Sequence, residues 1–405
     1  MSSNQKAPST QSQHLDFLDG IRGAAAFYVL LGHCMIWGCR RDLLPDPKIA
    51  VAVFMVMSGY LMVYLSTIRS QTEPPGSWTM AKKFWVRRFF RIAPLYYLVL
   101  VVAFVFFVRL KVGFVTLASA NPEQWAGFFE HLESYGPIQR SLANFLMHVS
   151  FLFGVFPSYT VTSMLPDWSI GLEMQFYAVF PLLFFLFVRL GPCAGATLIW
   201  IATTALKRLT DWYFAPQGFP EPAFLPLELQ VFLVGMLLAS AHQHLAVKRQ
   251  HAYLQFVLAL AFASKLPSYI SSYVMGLVII VFFMLPGVAK VEPAVAWLRG
   301  LLGNRISRFM ADTSYGVYLI HGFFISFVGG WLYRGPAVGA VGSATRLVLL
   351  TVITIVGAYS VSMVLYHYVE RPGIELGRRL LARKPVLLPK PITAINPASF
   401  KAADL

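Results

Sequence analysis

Ten apolar stretches dominate this chain, at residues 19–38, 49–68, 92–109, 169–189, 191–206, 223–241, 252–266, 268–286, 313–333 and 347–369. Each approaches the roughly 20 residues that a helix needs to cross hydrocarbon. A backbone in lipid must satisfy its own hydrogen bonds, which leaves helices as the fold for stretches of this length. Composition agrees. Of the 405 residues, 57 % are hydrophobic and 13 % charged, with a mean hydropathy of +0.62; soluble domains carry about 25 % charged residues. The expected fold class is an all-α polytopic membrane protein.

Residues 1–14 form a polar tail without the apolar core of a cleavable signal. The tail from 385 to 405, which contains Pro and Lys, is expected to be disordered. Between them, 15–384 reads as one membrane domain. The segment 142–157 is apolar but short. If it does not cross, ten crossings put both termini in the cytoplasm, with 21 Lys and Arg inside and 11 outside; if it crosses, the tally is 12 against 20. The positive-inside rule favours the first arrangement. Residues 291–312 read as an amphipathic interfacial helix, with Trp297, Leu298, Leu301 and Leu302 against Arg299, Arg305 and Arg308.

The net charge of +15 sits mostly in loops, where it sets topology and meets lipid head groups or anionic ligands. There is no nucleic-acid signature and no metal-ligand spacing. Cys34, Cys39 and Cys193 make no disulfide framework.

Several ionisable residues break the apolar pattern, and such residues in a membrane usually serve function. Arg22 and His33 are eleven residues apart. That spacing is close to a whole number of turns, so both share one helix face, about 16.5 Å apart along the axis. Asp19 is one turn before Arg22, close enough to pair with it. A snorkelling arginine and a hydrogen-bonded core histidine would give the same letters. In "KKFWVRRFFRIAPLYY", 82–97, Arg88 and Arg91 share a face at the membrane surface, where forked guanidiniums suit phosphates. In "LPDWSIGLEMQFYAVFPLL", 165–183, Glu173 lies one turn inside an apolar helix, and Trp168 could stack on a sugar or anchor the interface. His321 lies mid-span in "TSYGVYLIHGFF", and Ser58 and Gly59 in "FMVMSGYLM" could serve close helix packing.

Taken together and in order, these pieces resemble the membrane-bound acyltransferase-3 family. "LDGIRGAAAFYVLLGH" is similar to its Arg-x10-His signature, "FMVMSGYLM" to its Phe-x-x-x-Ser-Gly stretch, and "RRFFRIAPLYY" to its Arg-x-x-Arg element. "DWSIGLEMQFYAVFPLL", "SYGVYLIH" and "HYVERPGIELGRR" are similar to its later blocks, so the likeness runs from residue 15 to about 383. The resemblance implies transfer of an acyl group, usually acetyl from acetyl-CoA, to a carbohydrate hydroxyl, with no metal. It implies a protein of the plasma membrane (the inner membrane of a Gram-negative cell). The acceptor classes it allows are lipopolysaccharide, exopolysaccharide and smaller glycosides. Some relatives carry a C-terminal hydrolase-like domain, for which the expectation here is that there is no room.

On that reading His33 is the general base, with Glu173 and Asp19 as catalytic partners. Arg22, Arg88 and Arg91 hold the acyl-CoA phosphates, and Trp168, Tyr177, His321 and Ser58 contact substrate. The donor enters from the cytoplasm, its pantetheine arm follows the face shared by Arg22 and His33, and Glu173 with Trp168, at the outer end of their span, orients the sugar or the base. The expected partners are an acyl-CoA donor, a carbohydrate acceptor and membrane lipids. The same Arg, His and Glu could form the relay of a transporter or flippase, although no inverted repeat of the transporter kind is visible.

Overall fold

A computed structural model describes residues 16–285, 288, 292–334 and 342–382; both tails singled out above lie outside the described residues. Among the described residues the regular structure is entirely helical. The order is α1 (Asp16–Trp37), α2 (Lys48–Ile68), α3 (Trp78–Val105), α4 (Phe107–Ser119), α5 (Pro122–Trp125), α6 (Phe128–Tyr135), α7 (Leu142–Val149) and α8 (Trp168–Arg189). Then follow α9 (Pro192–Tyr213), α10 (Leu225–Leu245), α11 (Arg249–Ala263), α12 (Ser268–Met284), α13 (Glu292–Leu302), α14 (Arg305–Leu332), α15 (Ser343–Leu365) and α16 (Arg371–Ala382). Each of the ten apolar stretches falls on a helix. Seven helical segments are long and apolar enough to cross a membrane by length and composition, and α12 is a shorter apolar helix.

The third helix differs from expectation. It begins at Trp78, not near residue 92, because the basic run 82–91 is helical too. Ser77 caps it, accepting from Met80 N at 3.1 Å, and carboxylates from elsewhere neutralise two of its arginines. Arg87 donates to both oxygens of Glu73 at 2.8 and 2.5 Å, and Arg91 pairs with Glu370. The expected interfacial helix is also shorter than 291–312. It breaks after Leu302, where Asn304 caps α14 by accepting from Ser307 N at 2.8 Å. Trp297 on α13 is 68 % exposed, as an interface anchor should be.

The segment 142–157 folds as α7, eight residues long, and two single 3₁₀ turns at Leu152–Gly154 and Pro157–Tyr159. Eight helical residues reach about 12 Å, far short of hydrocarbon about 30 Å thick. The segment is instead tied inside the bundle. Asp167 accepts from Tyr96 OH at 2.9 Å and from Ser163 Oγ at 3.0 Å, and its Oδ2 lies 3.1 Å from His148 Nδ1. Thr162 donates to Asn144 Oδ1 at 2.6 Å. Asp167 and His148 are fully buried, and polar groups so placed stay only when they are bonded. This network fixes the start of α8 inside the protein rather than at its surface.

α10 and α14 are the most enclosed of the long helices, and α15 is the most open. The close approach of α2 and α10 depends on glycine. A Cβ on Gly59 would stand 2.0 Å from Phe232 O, and one on Gly235 would stand 1.9 Å from Val56 O. Small residues let membrane helices touch backbone to backbone. Gly235→Val is expected to cost about 3 kcal/mol or more of stability through overpacking, read as a lowered unfolding midpoint in detergent. An unchanged midpoint would show that the two helices can separate.

Candidate functional site

Six helices converge on one cavity of about 120 Å³, with Phe232 the contribution of α10. α1 contributes Arg22, α2 contributes Phe54, Met55, Ser58 and Met62, and α3 contributes Arg88 and Arg91. α8 adds Ser169, Glu173 and Tyr177, and α14 adds Ser314, Tyr315 and Tyr318. Three guanidiniums therefore border a space whose other walls mix apolar side chains with hydroxyls and the Glu173 carboxyl. We call the end of the bundle that carries them the arginine face, and the opposite end the histidine face.

The three arginines are held differently. Arg22 is 3.3 Å from Asp19, the pairing expected from their spacing, and Asp19 is half-exposed. Arg91 is bound to Glu370, which is 1 % exposed. Arg88 has no carboxylate partner among the described residues. Its guanidinium lies 5.8 Å from the ring centres of both Phe84 and Tyr177, and its buried Nε has no hydrogen-bond partner there. A buried, unsatisfied donor on a cation is costly, so Arg88 is the arginine with donor capacity left for an anion.

Glu173 sits among these arginines. Ser58 Oγ donates to its Oε1 at 2.9 Å, and Tyr177 OH donates to the same oxygen. Ser58 and Tyr177, expected to touch substrate, thus hold a carboxylate that borders the cavity. Glu173 was expected to orient the sugar or the base; in the structure its hydrogen-bond partners are Ser58 and Tyr177. Because α8 starts inside the bundle, one turn along it already reaches the level of the arginines. Trp168 is half-buried and absent from the cavity wall, whereas its neighbour Ser169 lines it and lies 2.7 Å from Tyr318 OH.

The group that does meet His33 is His321. Its Nε2 lies 3.0 Å from His33 Nδ1, and the rings stack with centres 5.0 Å apart. His321 Nδ1 is 3.0 Å from Val317 O. A carbonyl only accepts, so His321 Nδ1 carries a proton and His321 Nε2 is the acceptor in the neutral ring. His33 Nδ1 is then the donor, which leaves a lone pair on His33 Nε2. Neither histidine lines the cavity; Tyr318, one turn before His321 on α14, does.

Sequence reasoning did not pick out Glu370 or the Tyr96–His148–Asp167 network. The only local sign of Glu370 is an acid directly after an apolar span, in "HYVERP". Among the described residues no group of three or more His, Cys, Asp or Glu side chains is placed to hold a metal ion.

Comparison with known proteins gives the site its setting. The acyltransferase-3 family model, described as an acyltransferase domain, matches residues 15–365. The peptidoglycan O-acetyltransferase OatA of Listeria monocytogenes is 24 % identical over 330 residues, covering 76 % of this chain and 49 % of that protein. YrhL of Bacillus subtilis, named as a candidate peptidoglycan O-acetyltransferase, is 23 % identical over 92 % of this chain and 57 % of its own length. A candidate O-acetyltransferase of Staphylococcus aureus strain COL is 21 % identical over 93 % of this chain and 60 % of its own. The chain thus spans about half to three-fifths of these relatives. No solved structure matches. With a family model covering most of its length and seven helical segments long and apolar enough to span lipid, the chain is an integral membrane protein of the acyltransferase-3 family.

Proposed function

We propose that the protein moves an acetyl group from cytoplasmic acetyl-CoA to a hydroxyl of a carbohydrate at the opposite membrane face. The observation that carries this reading is the cavity bordered by Arg22, Arg88 and Arg91, with Glu173 and Tyr318 in its wall and the His33–His321 pair one turn along α14 from Tyr318. Relatives named for O-acetylation of peptidoglycan support a glycan acceptor. The arginine face carries both described ends of the chain and is assigned to the cytoplasm, in line with the balance of basic residues.

A cavity of about 120 Å³ is well below the roughly 300–1,000 Å³ of sites that enclose whole ligands. It takes the thin acyl-pantetheine end, while the nucleotide stays at the arginine face. There Arg88 supplies forked donors to phosphate. At the far end the His33 Nε2 lone pair takes the proton of the acceptor hydroxyl, a task suited to imidazole near neutral pH. The oxygen attacks the thioester carbonyl, the C–S bond breaks, and the departing CoA thiolate takes the proton back from His33. His321 Nε2, accepting from His33 Nδ1, holds the ring in the tautomer this needs. No covalent enzyme intermediate is required.

Arg88→Ala is expected to raise the apparent KM for acetyl-CoA by about tenfold or more, the worth of a charge-assisted hydrogen bond, with a smaller change in kcat. Steady-state kinetics in proteoliposomes checks this. A change confined to acceptor affinity would remove the phosphate role.

A further inference from the structure

A second cavity, of about 330 Å³, opens at the histidine face between α2, α9, α10 and α12. Lys48, Lys207, Asp211, Phe219, Glu228 and Tyr269 are among its walls. Glu228, in the first turn of α10, borders it while only 6 % exposed, and it has no hydrogen-bond partner among the described residues. A carboxylate that deep normally has its oxygens satisfied. Lys207 reaches towards it, its Nζ 3.5 Å from Leu227 O. Lys48 is tied to Glu221 at 2.8 Å. Burial raises the Glu221 carboxyl above the usual carboxylate range, and the Lys48 ammonium pulls it back down. Tyr269 is 44 % exposed on the same rim.

A close contact between α1 and the start of α2 connects this cavity with the helix that carries His33. Gly32 of α1 lies against Pro47, where a Cβ would stand 3.0 Å from the proline Cβ. His33 directly follows Gly32 and Lys48 directly follows Pro47, so this contact joins the segment that carries the base to the segment that carries one wall residue of the cavity.

The geometry points to this groove as the acceptor subsite, which takes a carbohydrate rich in hydroxyl or amide N–H donors. Glu228 accepts from the sugar, Lys48 and Lys207 donate to it, and Tyr269 and Phe219 offer apolar faces to the ring. The volume, at the low end of small-ligand sites, suits one or two sugar rings. This inference rests on the acetyl-transfer reading given above.

The test uses vesicles holding the full chain, with labelled acetyl-CoA inside and glycan extracted from the source cells' envelope titrated outside. Glu228→Gln is expected to raise the half-saturating glycan concentration about tenfold or more, with the half-saturating acetyl-CoA concentration unchanged. Phe219→Ala, in the loop before α10, is the second variant and should shift glycan saturation in the same direction if Glu228→Gln does not fold. Unchanged glycan saturation in a folded variant overturns the groove assignment, as does a shift in acetyl-CoA alone. If wild-type protein labels no glycan at all, the acetyl-transfer reading itself fails, a result distinct from either of these.

Discussion

His33→Ala is expected to lower acetyl transfer by about 10²–10⁴-fold, the usual contribution of a general base, while acetyl-CoA still binds. Binding is retained because Arg22, which borders the cavity together with Arg88 and Arg91 of α3, lies about 16.5 Å from His33 along α1. His321→Ala should lower kcat as well, but by less. It leaves a lone imidazole free to adopt either tautomer, and the pH–rate profile should change with it. A residue that merely packs would leave that profile alone. His321→Gln, which can still accept a hydrogen bond from His33 Nδ1 through its amide oxygen, should recover part of the loss. Normal turnover in His33→Ala would end the assignment of the base.

Arg91→Ala is expected to destabilise the fold by about 3–5 kcal/mol, because it strands Glu370 as a buried, unpaired carboxylate. Glu370→Ala should be destabilising for the converse reason. The double variant Arg91→Leu with Glu370→Leu should regain much of the loss, since an apolar pair can replace a buried ion pair with little penalty. Unfolding midpoints in detergent measure all three. Arg88→Ala should leave the midpoint near its wild-type value, because Arg88 has no carboxylate to strand. Equal destabilisation by Arg88→Ala and Arg91→Ala would contradict this division between an arginine that binds and an arginine that braces.

The helices were legible because apolar length is a local signal, and so was the Asp19–Arg22 pair, one turn apart. The partners that complete the site were not. His321 lies 288 residues from His33, and Glu370 lies 279 from Arg91; helical periodicity carries no information over such distances. Glu173 was found as an unusual residue, but its partners Ser58 and Tyr177 were not legible as such. Its depth depends on where α8 begins, and that is set by Tyr96, His148 and Asp167, which come together only when the short segment before α8 folds back into the bundle. Gly59 was legible as a packing residue, but its partner Gly235 was not, since only the fold brings α2 and α10 together.

The central claim is that acetyl crosses the membrane while CoA does not. Sealed vesicles containing the protein, loaded with acetyl-CoA labelled in the acetyl group and separately in the nucleotide, test it most directly when envelope glycan is supplied only outside. The account predicts acetyl label on the external glycan with all of the nucleotide label retained inside. Nucleotide label appearing outside together with acetyl label, or glycan acetylation only when donor and glycan share one side, would contradict it.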